Sequence, residues 1–147
     1  MGAGGAARGV VVPLLDQKPA LLAIANRTVS KAVALAEQWT SRGPIRAGSY
    51  ADFSAERFDI MINATSASLH GEVPPVSNRT FAGAALAYDM VYGDRATPFL
   101  AAARSFGVAQ LADGLGMLIE QAAESFHLWR GVRPQTAPVI EMLGKRR

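Results

Sequence analysis

The sequence has no cysteine among its 147 residues. This absence excludes a disulfide scaffold, a thiolate-ligated zinc or iron–sulfur site and a catalytic thiol. Charged residues make up only 18% of the chain and hydrophobic residues make up 50%, a balance that is too apolar for a disordered chain. The composition predicts one globular domain, and the lack of cysteine suits the reducing cytoplasm.

Long hydrophobic runs are also absent. Pro13 interrupts the run at 10–15 and Asp89 lies within the stretch 81–92, so no stretch reaches the roughly 18 apolar residues of a membrane span. No basic segment followed by an apolar core opens the chain, and we expect neither export nor membrane contact. The basic run 145–147 lacks interleaved aromatic residues, which indicates a solvated tail and no nucleic-acid partner.

Strand and helix patterns alternate along the chain. Predicted strands cover residues 21–25, 45–47, 58–64, 84–91 and 108–111. Predicted helices cover residues 2–15, 30–39, 98–106, 116–129 and 137–143, with a short helical piece at 50–55. This order predicts an α/β fold of the Rossmann-like type, a doubly wound parallel sheet with helices on both faces. Ligands of such sheets bind at the carboxyl ends of the strands.

A glycine-rich loop opens the chain. Gly2-x-Gly4-x-x-Ala7 matches the dinucleotide fingerprint, in which small residues allow a tight turn, close approach of a pyrophosphate and close helix packing. The pattern alone is weak, because flexible glycine-rich leaders look the same. The predicted cofactor-binding residues of this loop are Gly2, Ala3, Gly4, Gly5 and Ala6.

The residues after the next strand indicate which dinucleotide binds. An NAD enzyme places an acidic residue there, on the ribose 2′-hydroxyl, but this chain has Asn26-Arg27-Thr28. Arginine suits a 2′-phosphate, and Thr28 and Lys31 add further donors, so NADP is the predicted cofactor. The structural alternative is that Asn26 caps the following helix and Arg27 is solvated.

The fingerprint normally follows a buried strand, but Met1 directly precedes Gly2. We therefore expect the first strand of the sheet to be truncated, because the chain is a fragment or because its start was placed too late.

Together the motifs resemble the shikimate dehydrogenase family over nearly the whole chain. They are Gly2-Ala3-Gly4-Gly5-Ala6-Ala7-Arg8, Asn26-Arg27-Thr28-Val29-Ser30-Lys31, Asn63-Ala64-Thr65-Ser66, Tyr88-Asp89-Met90-Val91-Tyr92 and 113–123. The resemblance implies that residues 1–147 are the carboxyl-terminal, NADP-binding half of an oxidoreductase. Such an enzyme reduces 3-dehydroshikimate to shikimate reversibly in chorismate and aromatic amino-acid biosynthesis.

The resemblance also implies roles for individual residues. Thr65, Ser66, Met90 and Gly114 would lie beside the cofactor, and Tyr92 and Gln121, the latter on a C-terminal helix, would contact shikimate or 3-dehydroshikimate. The family's catalytic lysine and aspartate belong to an amino-terminal domain that we expect to be missing. No catalytic residue is therefore assigned, and the chain alone is expected to be inactive.

Other features remain open. Ser68 stands where many family members have glycine, a departure expected to change only loop geometry. His70 and His127 lack metal-ligand spacing, so no metal site is predicted, and Trp39 and Trp129 are expected to pack. The alternatives are a truncated, non-catalytic nucleotide-binding fragment and a quinate/shikimate dehydrogenase that uses NAD. A homodimer is also left open.

Overall fold

The structure is a computed structural model that describes residues 1–144, and the basic run 145–147 lies outside them. Its strands are β1 (Leu22–Ala25), β2 (Ile45–Gly48), β3 (Ile60–Asn63), β4 (Leu86–Asp89) and β5 (Gln110–Asp113). Its helices are α1 (Gly5–Asp16), α2 (Val29–Glu37), α3 (Asn78–Phe81), α4 (Pro98–Ser105), α5 (Leu115–Arg130) and α6 (Ala137–Gly144). Two 3₁₀ turns cover Ala51–Phe53 and Ala67–His70. The predicted α/β class is confirmed.

The strands form two parallel sheets. β1 pairs with β2, while β3, β4 and β5 make a second sheet in that order. In the second sheet Asn63 lies opposite Asp89, and Asp89 lies opposite Asp113. Polar side chains of three neighbouring strands therefore line up at the carboxyl edge, where ligands of parallel sheets bind.

Met1 and Gly2 join the two sheets. The Gly2 N–H donates to the Ala25 carbonyl of β1 at 2.8 Å. On the other side, the Met1 amino group donates to the Ile62 carbonyl at 2.7 Å, and the Ala64 N–H donates to the Met1 carbonyl at 2.9 Å. These two residues thus make strand-like hydrogen bonds to β1 and to the β3 segment at their carboxyl ends.

Each sheet has its own hydrophobic core. Val11 and Leu15 of α1 pack with Ile24 of β1 and Leu35 of α2. The second core contains Met61 of β3, Phe81 of α3 and Phe99 of α4, with the rings of Phe81 and Phe99 5.7 Å apart. Because apolar helix stripes cover the strands, the carboxyl ends are left to carry the polar groups.

Some element boundaries differ from the predicted ones. The first helix begins at Gly5, not at residue 2, because Gly2 has a φ of +99° and bonds to β1. The strand predicted at 84–91 ends at Asp89, whose side chain accepts the Val91 N–H and turns the chain. The short helix α3 was not predicted, although Ser77 caps it by accepting the Arg79 N–H.

The carboxyl-terminal helices expose apolar side chains. Trp129 is 80% exposed and Leu128 is 76% exposed, so the prediction that Trp129 packs is wrong. Trp39, in contrast, packs against the first core as predicted. Within residues 1–144, no helix combines the length and the apolar character that crossing a bilayer requires.

Candidate functional site

A cleft of about 740 Å³ lies at the carboxyl ends of the strands, and we call it the carboxyl-end cleft. The start of α1 and the loops after β1, β3 and β4 line it. Its volume is in the range of small-molecule sites. Ten of the predicted cofactor-binding residues line it, namely Gly2, Ala3, Gly4, Gly5, Ala6, Asn26, Arg27, Thr65, Ser66 and Met90.

The glycines of the first loop serve two different needs. A Cβ on Gly2 would lie 2.8 Å from the Ala64 carbonyl oxygen, and its φ is positive, so the fold itself requires glycine there. A Cβ on Gly4 or Gly5 would meet no atom within 4 Å, and neither residue has a positive φ. The fold does not require glycine at these two positions. Their backbone instead leaves open space in the cleft for a ligand to approach.

The start of α1 offers an anion site beside these glycines. Gly4 caps this twelve-residue helix without any side-chain hydrogen bond, and its first turn contains no acidic residue. The amides of the first turn have no partner within the helix, and the helix dipole adds positive potential at this end. This arrangement can hold a phosphate group.

Arg27 brings a side-chain cation to the same cleft. It is exposed and lines the cleft together with Asn26 and Tyr50. Burial raises the pKa of Tyr50, while the charge of Arg27 opposes this shift, so the phenol stays protonated and can donate a hydrogen bond at neutral pH. The sequence analysis missed Tyr50, because a single tyrosine after a weak strand carries no motif.

Thr28 and Lys31 do not line the cleft. Thr28 is the N-cap residue of α2 but makes no side-chain cap bond, and Lys31 is exposed on the first turn. The Asn26 side chain donates to the Thr28 carbonyl at 2.9 Å and does not accept a helix amide. The alternative in which Asn26 caps α2 is therefore wrong.

Asp89 forms a buried hydrogen-bond network beneath the cleft. Its carboxylate is 0% exposed and accepts from the hydroxyls of Ser68 and Thr97, each at 2.6 Å. The Asn63 amide donates to it at 3.1 Å, and the Val91 N–H donates at 3.0 Å. Four donors from four places in the chain thus satisfy one carboxylate, which a buried charge requires.

The network reaches the cleft through Asn63. The oxygen of this amide accepts from the backbone N–H of Thr65 at 3.1 Å and from its hydroxyl at 2.7 Å. The Thr65 hydroxyl in turn accepts the Ala67 N–H at 3.2 Å. Because every one of these groups is committed, Thr65 and Ser66 are presented to the cleft in a fixed loop geometry.

The sequence analysis expects Ser68 to change only the geometry of its loop, and this expectation is wrong. Its hydroxyl donates to Asp89 and accepts from Asn63 at 3.3 Å, which makes it a member of the network. The sequence contains two signals for Asp89: it is a charged residue inside an otherwise apolar stretch, and it belongs to the motif Tyr88-Asp89-Met90-Val91-Tyr92. Neither pattern indicates which groups its carboxylate contacts.

Gly114 supports the cleft without lining it. A Cβ at this position would overlap the carbonyl of Met90, and the Gly114 N–H donates to the Val91 carbonyl at 3.3 Å. Glycine therefore lets α5 begin directly against the loop that carries Met90. Asp113 shapes this turn by accepting the Leu115 N–H at 3.0 Å.

The two predicted substrate residues lie outside the carboxyl-end cleft. Tyr92 is 47% exposed, beyond the end of β4. Gln121 is exposed on α5 and donates to the Ser125 hydroxyl at 3.0 Å. The structure does not bring either of them into the cleft. Residues 1–144 also contain no group of three His, Asp or Glu side chains that could hold a metal ion.

Comparison with known families agrees with the motifs and with the fold. Residues 1–72 match the Shikimate / quinate 5-dehydrogenase family, and residues 114–143 match the Shikimate 5'-dehydrogenase C-terminal domain. The chain belongs to the shikimate dehydrogenase family. The resemblance inferred from the sequence is thereby confirmed.

Individual relatives and solved structures show the extent of the likeness. The chain is 59% identical to the shikimate dehydrogenase (NADP(+)) of Nitrosomonas eutropha, over 97% of this chain and 52% of that protein. The chain is 51% identical in sequence to an Ael1 enzyme from Pseudomonas putida, whose crystal structure matches it with a TM-score of 0.89 over 97% of this chain and 52% of that one. It is 32% identical to a shikimate dehydrogenase solved in complex with NADP+, with a TM-score of 0.74 over 92% of this chain and 49% of that one. The chain spans about half the length of these relatives.

The Asp89 network predicts a stability effect at Ser68. The change Ser68→Ala leaves the buried carboxylate short of one donor, and we expect a loss of about 1–3 kcal/mol in the free energy of unfolding. Urea denaturation measures this loss. The control is Ser105→Ala, which removes an exposed hydroxyl bonded to the carbonyl of its own helix and should change stability by less than about 0.5 kcal/mol. Equal losses in both variants would contradict the network.

Proposed function

We propose that this chain is the NADP-binding half of a shikimate dehydrogenase, which reversibly reduces 3-dehydroshikimate to shikimate. The observation that carries the proposal is the juxtaposition in one cleft of Arg27 and the open start of α1. The pyrophosphate would lie on the amides of α1, against Gly4 and Gly5. Arg27 would hold the ribose 2′-phosphate, with Thr28 and Lys31 on the next turn as further donors.

The rest of the cleft suits the other end of the cofactor. The nicotinamide would lie toward Thr65, Ser66 and Met90, which line the cleft on the side of β3 and β4. The Asp89 network would hold this wall in place, and Gly114 would hold Met90 from behind. A wall fixed before binding keeps the ring in one orientation toward a substrate, as hydride transfer requires.

Bound NADPH supplies a hydride, but reduction of a ketone also needs a group that transfers a proton. We propose that Tyr92 and Gln121, together with the face of α5 and α6, contact the substrate and hold its hydroxyl groups. A phenol and a neutral amide can orient hydroxyls but transfer protons poorly at pH 7. The proposed role of residues 1–147 is therefore to bind the cofactor and to complete the substrate site, while catalytic turnover needs further residues.

This division of roles predicts binding without turnover. Purified chain mixed with NADP+ and shikimate should form NADPH no faster than the mixture without protein, as followed by absorbance of the reduced nicotinamide. The same preparation should bind NADPH and show a raised melting temperature. Shikimate-dependent reduction of NADP+ above the rate without protein would overturn the assignment of the proton-transfer group to residues outside 1–147.

Arg27 provides the test of NADP preference. The change Arg27→Ala should weaken NADPH binding about 10- to 100-fold, the equivalent of about 1.5–3 kcal/mol for a charge-assisted contact. NADH, which lacks the 2′-phosphate, should bind with an almost unchanged dissociation constant. Titrations followed by nucleotide fluorescence measure both constants.

The matched control is Arg57→Ala, because Arg57 is exposed and does not line the carboxyl-end cleft. This variant lowers the net charge of the chain by the same amount and should leave both constants unchanged. If Arg27→Ala weakens NADPH and NADH equally, the 2′-phosphate assignment fails. Preference of the unaltered chain for NADH would instead favour the NAD-dependent quinate/shikimate alternative.

A further inference from the structure

A second concavity opens at the rim of the carboxyl-end cleft, and we call it the rim pocket. It has a volume of about 520 Å³ and is lined by residues 26–27, 49–51, 54 and 75–77. Asn26, Arg27, Tyr50 and Pro75 line both the rim pocket and the carboxyl-end cleft. A ligand that fills the cleft and extends past its rim must therefore cross the boundary that these four residues form.

The pairing of β1 with β2 holds Tyr50 beside Arg27. The two strands are parallel, and the Asn26 N–H continues their ladder by donating to the Gly48 carbonyl at 3.1 Å. The two loops that follow therefore leave the same edge of the sheet side by side. Burial raises the pKa of the half-buried Tyr50 phenol and the charge of Arg27 opposes this shift, as expected for neighbouring side chains.

The hydrogen-bond donors of these two side chains are not used by the fold. Among residues 1–144, no protein group hydrogen-bonds the Tyr50 hydroxyl or pairs with the Arg27 guanidinium. Arg42, Arg46 and Arg133, in contrast, each contact a carboxylate. A half-buried tyrosine hydroxyl usually finds a hydrogen-bond partner. Two unused donors at one boundary therefore indicate that a ligand supplies the acceptor.

The charge of the rim pocket indicates what kind of acceptor fits. No acidic side chain is present among the described residues that line it. Asp52 lies nearby in sequence, but its carboxylate accepts the Ser49 N–H at 2.7 Å and does not line the pocket. Ser77 accepts the Arg79 N–H at 3.2 Å, which leaves its own hydroxyl hydrogen without a described acceptor. An arginine and two hydroxyl donors without an opposing carboxylate suit a phosphate group.

We propose that the Tyr50 hydroxyl donates a hydrogen bond to the 2′-phosphate of NADP, so that Tyr50 determines cofactor specificity together with Arg27. The inference rests on the proposed function and extends it. With the pyrophosphate on the start of α1 and the 2′-phosphate on Arg27, the adenosine ribose lies between them. The 2′-phosphate then lies at the boundary of the two concavities, where Tyr50 is the neighbouring donor.

The hydroxyl and the ring of Tyr50 have different consequences for specificity. NAD has an uncharged hydroxyl in place of the 2′-phosphate, so the phenol gains a charge-assisted hydrogen bond only with NADP. Contact of the ring with adenine, in contrast, would stabilise both cofactors equally, because both contain adenine. A variant that removes the hydroxyl and keeps the ring separates these two contributions.

The test is the change Tyr50→Phe, with NADPH and NADH titrated by nucleotide fluorescence. The dissociation constant of NADPH should rise about tenfold, and that of NADH should stay the same. Unchanged NADH binding also shows that the variant is folded. Equal weakening of both nucleotides, or no change in either, would overturn the proposal.

Competition experiments locate the effect at the phosphate. Adenosine 2′-monophosphate has the phosphate but no nicotinamide, and its inhibition constant against NADPH should rise by the same factor in Tyr50→Phe. The inhibition constant of adenosine 5′-monophosphate should not change. An unchanged constant for the 2′-monophosphate would show that Tyr50 does not contact this group, and the proposal would then be wrong.

The matched control is Tyr88→Phe. Tyr88 is another half-buried tyrosine, on β4, and it lines neither the rim pocket nor the carboxyl-end cleft. Loss of its hydroxyl should leave the constants for NADPH and NADH unchanged. A selective loss of NADPH binding in this variant would mean that the effect of Tyr50→Phe is indirect.

The outcomes separate this inference from the proposed function. If the unaltered chain prefers NADPH, and Arg27→Ala removes this preference while Tyr50→Phe does not, the role of Tyr50 is wrong and the proposed function stands. If the unaltered chain binds neither nucleotide, the proposed function fails and the role of Tyr50 fails with it.

Discussion

The buried carboxylate of Asp89 constrains the part of the molecule around the carboxyl-end cleft. An ionised group without solvent costs several kcal/mol unless hydrogen bonds replace its hydration. Its donors come from the end of β3, the 3₁₀ turn that follows it, the loop after β4 and the cap of α4. None of these segments can move without leaving part of the charge unsatisfied. The need to satisfy this one carboxylate therefore fixes the cleft wall that carries Thr65 and Met90.

The other wall of the cleft depends on backbone geometry. Gly2 has a conformation and a contact with Ala64 that only glycine accommodates, and its N–H connects α1 to β1. The two walls meet through the short segment Met1–Gly2, which bonds to both sheets. Among the described residues, the hydrogen bonds of Met1 and Gly2 join the two walls, together with the packing of Ala64 against the first core and of Met1 against the second.

The sequence predicted the fold class, the family and the loops of the cleft, because these depend on local patterns. Alternating apolar runs define the strands, and the glycine loop and Asn26-Arg27-Thr28 are continuous motifs. The Asp89 network could not be predicted in this way, since it joins residues 8 to 26 positions apart. The exposure of Trp129 could not be predicted for a related reason. Its helix pattern indicates an apolar face, but only the tertiary structure shows whether anything covers that face.

In the proposed cofactor site, selectivity would be concentrated in few side chains. The proposed pyrophosphate site consists of backbone amides and the helix dipole, which any dinucleotide could use equally well. Arg27 is the one arginine or lysine among the described residues that line the cleft. In this proposal the backbone amides supply affinity for both NADP and NAD, while the preference between them depends on Arg27, with Thr28 and Lys31 as further donors outside the cleft lining. Such an arrangement allows cofactor preference to change by substitution at the rim, without disturbing Asp89 or the glycines that the fold requires.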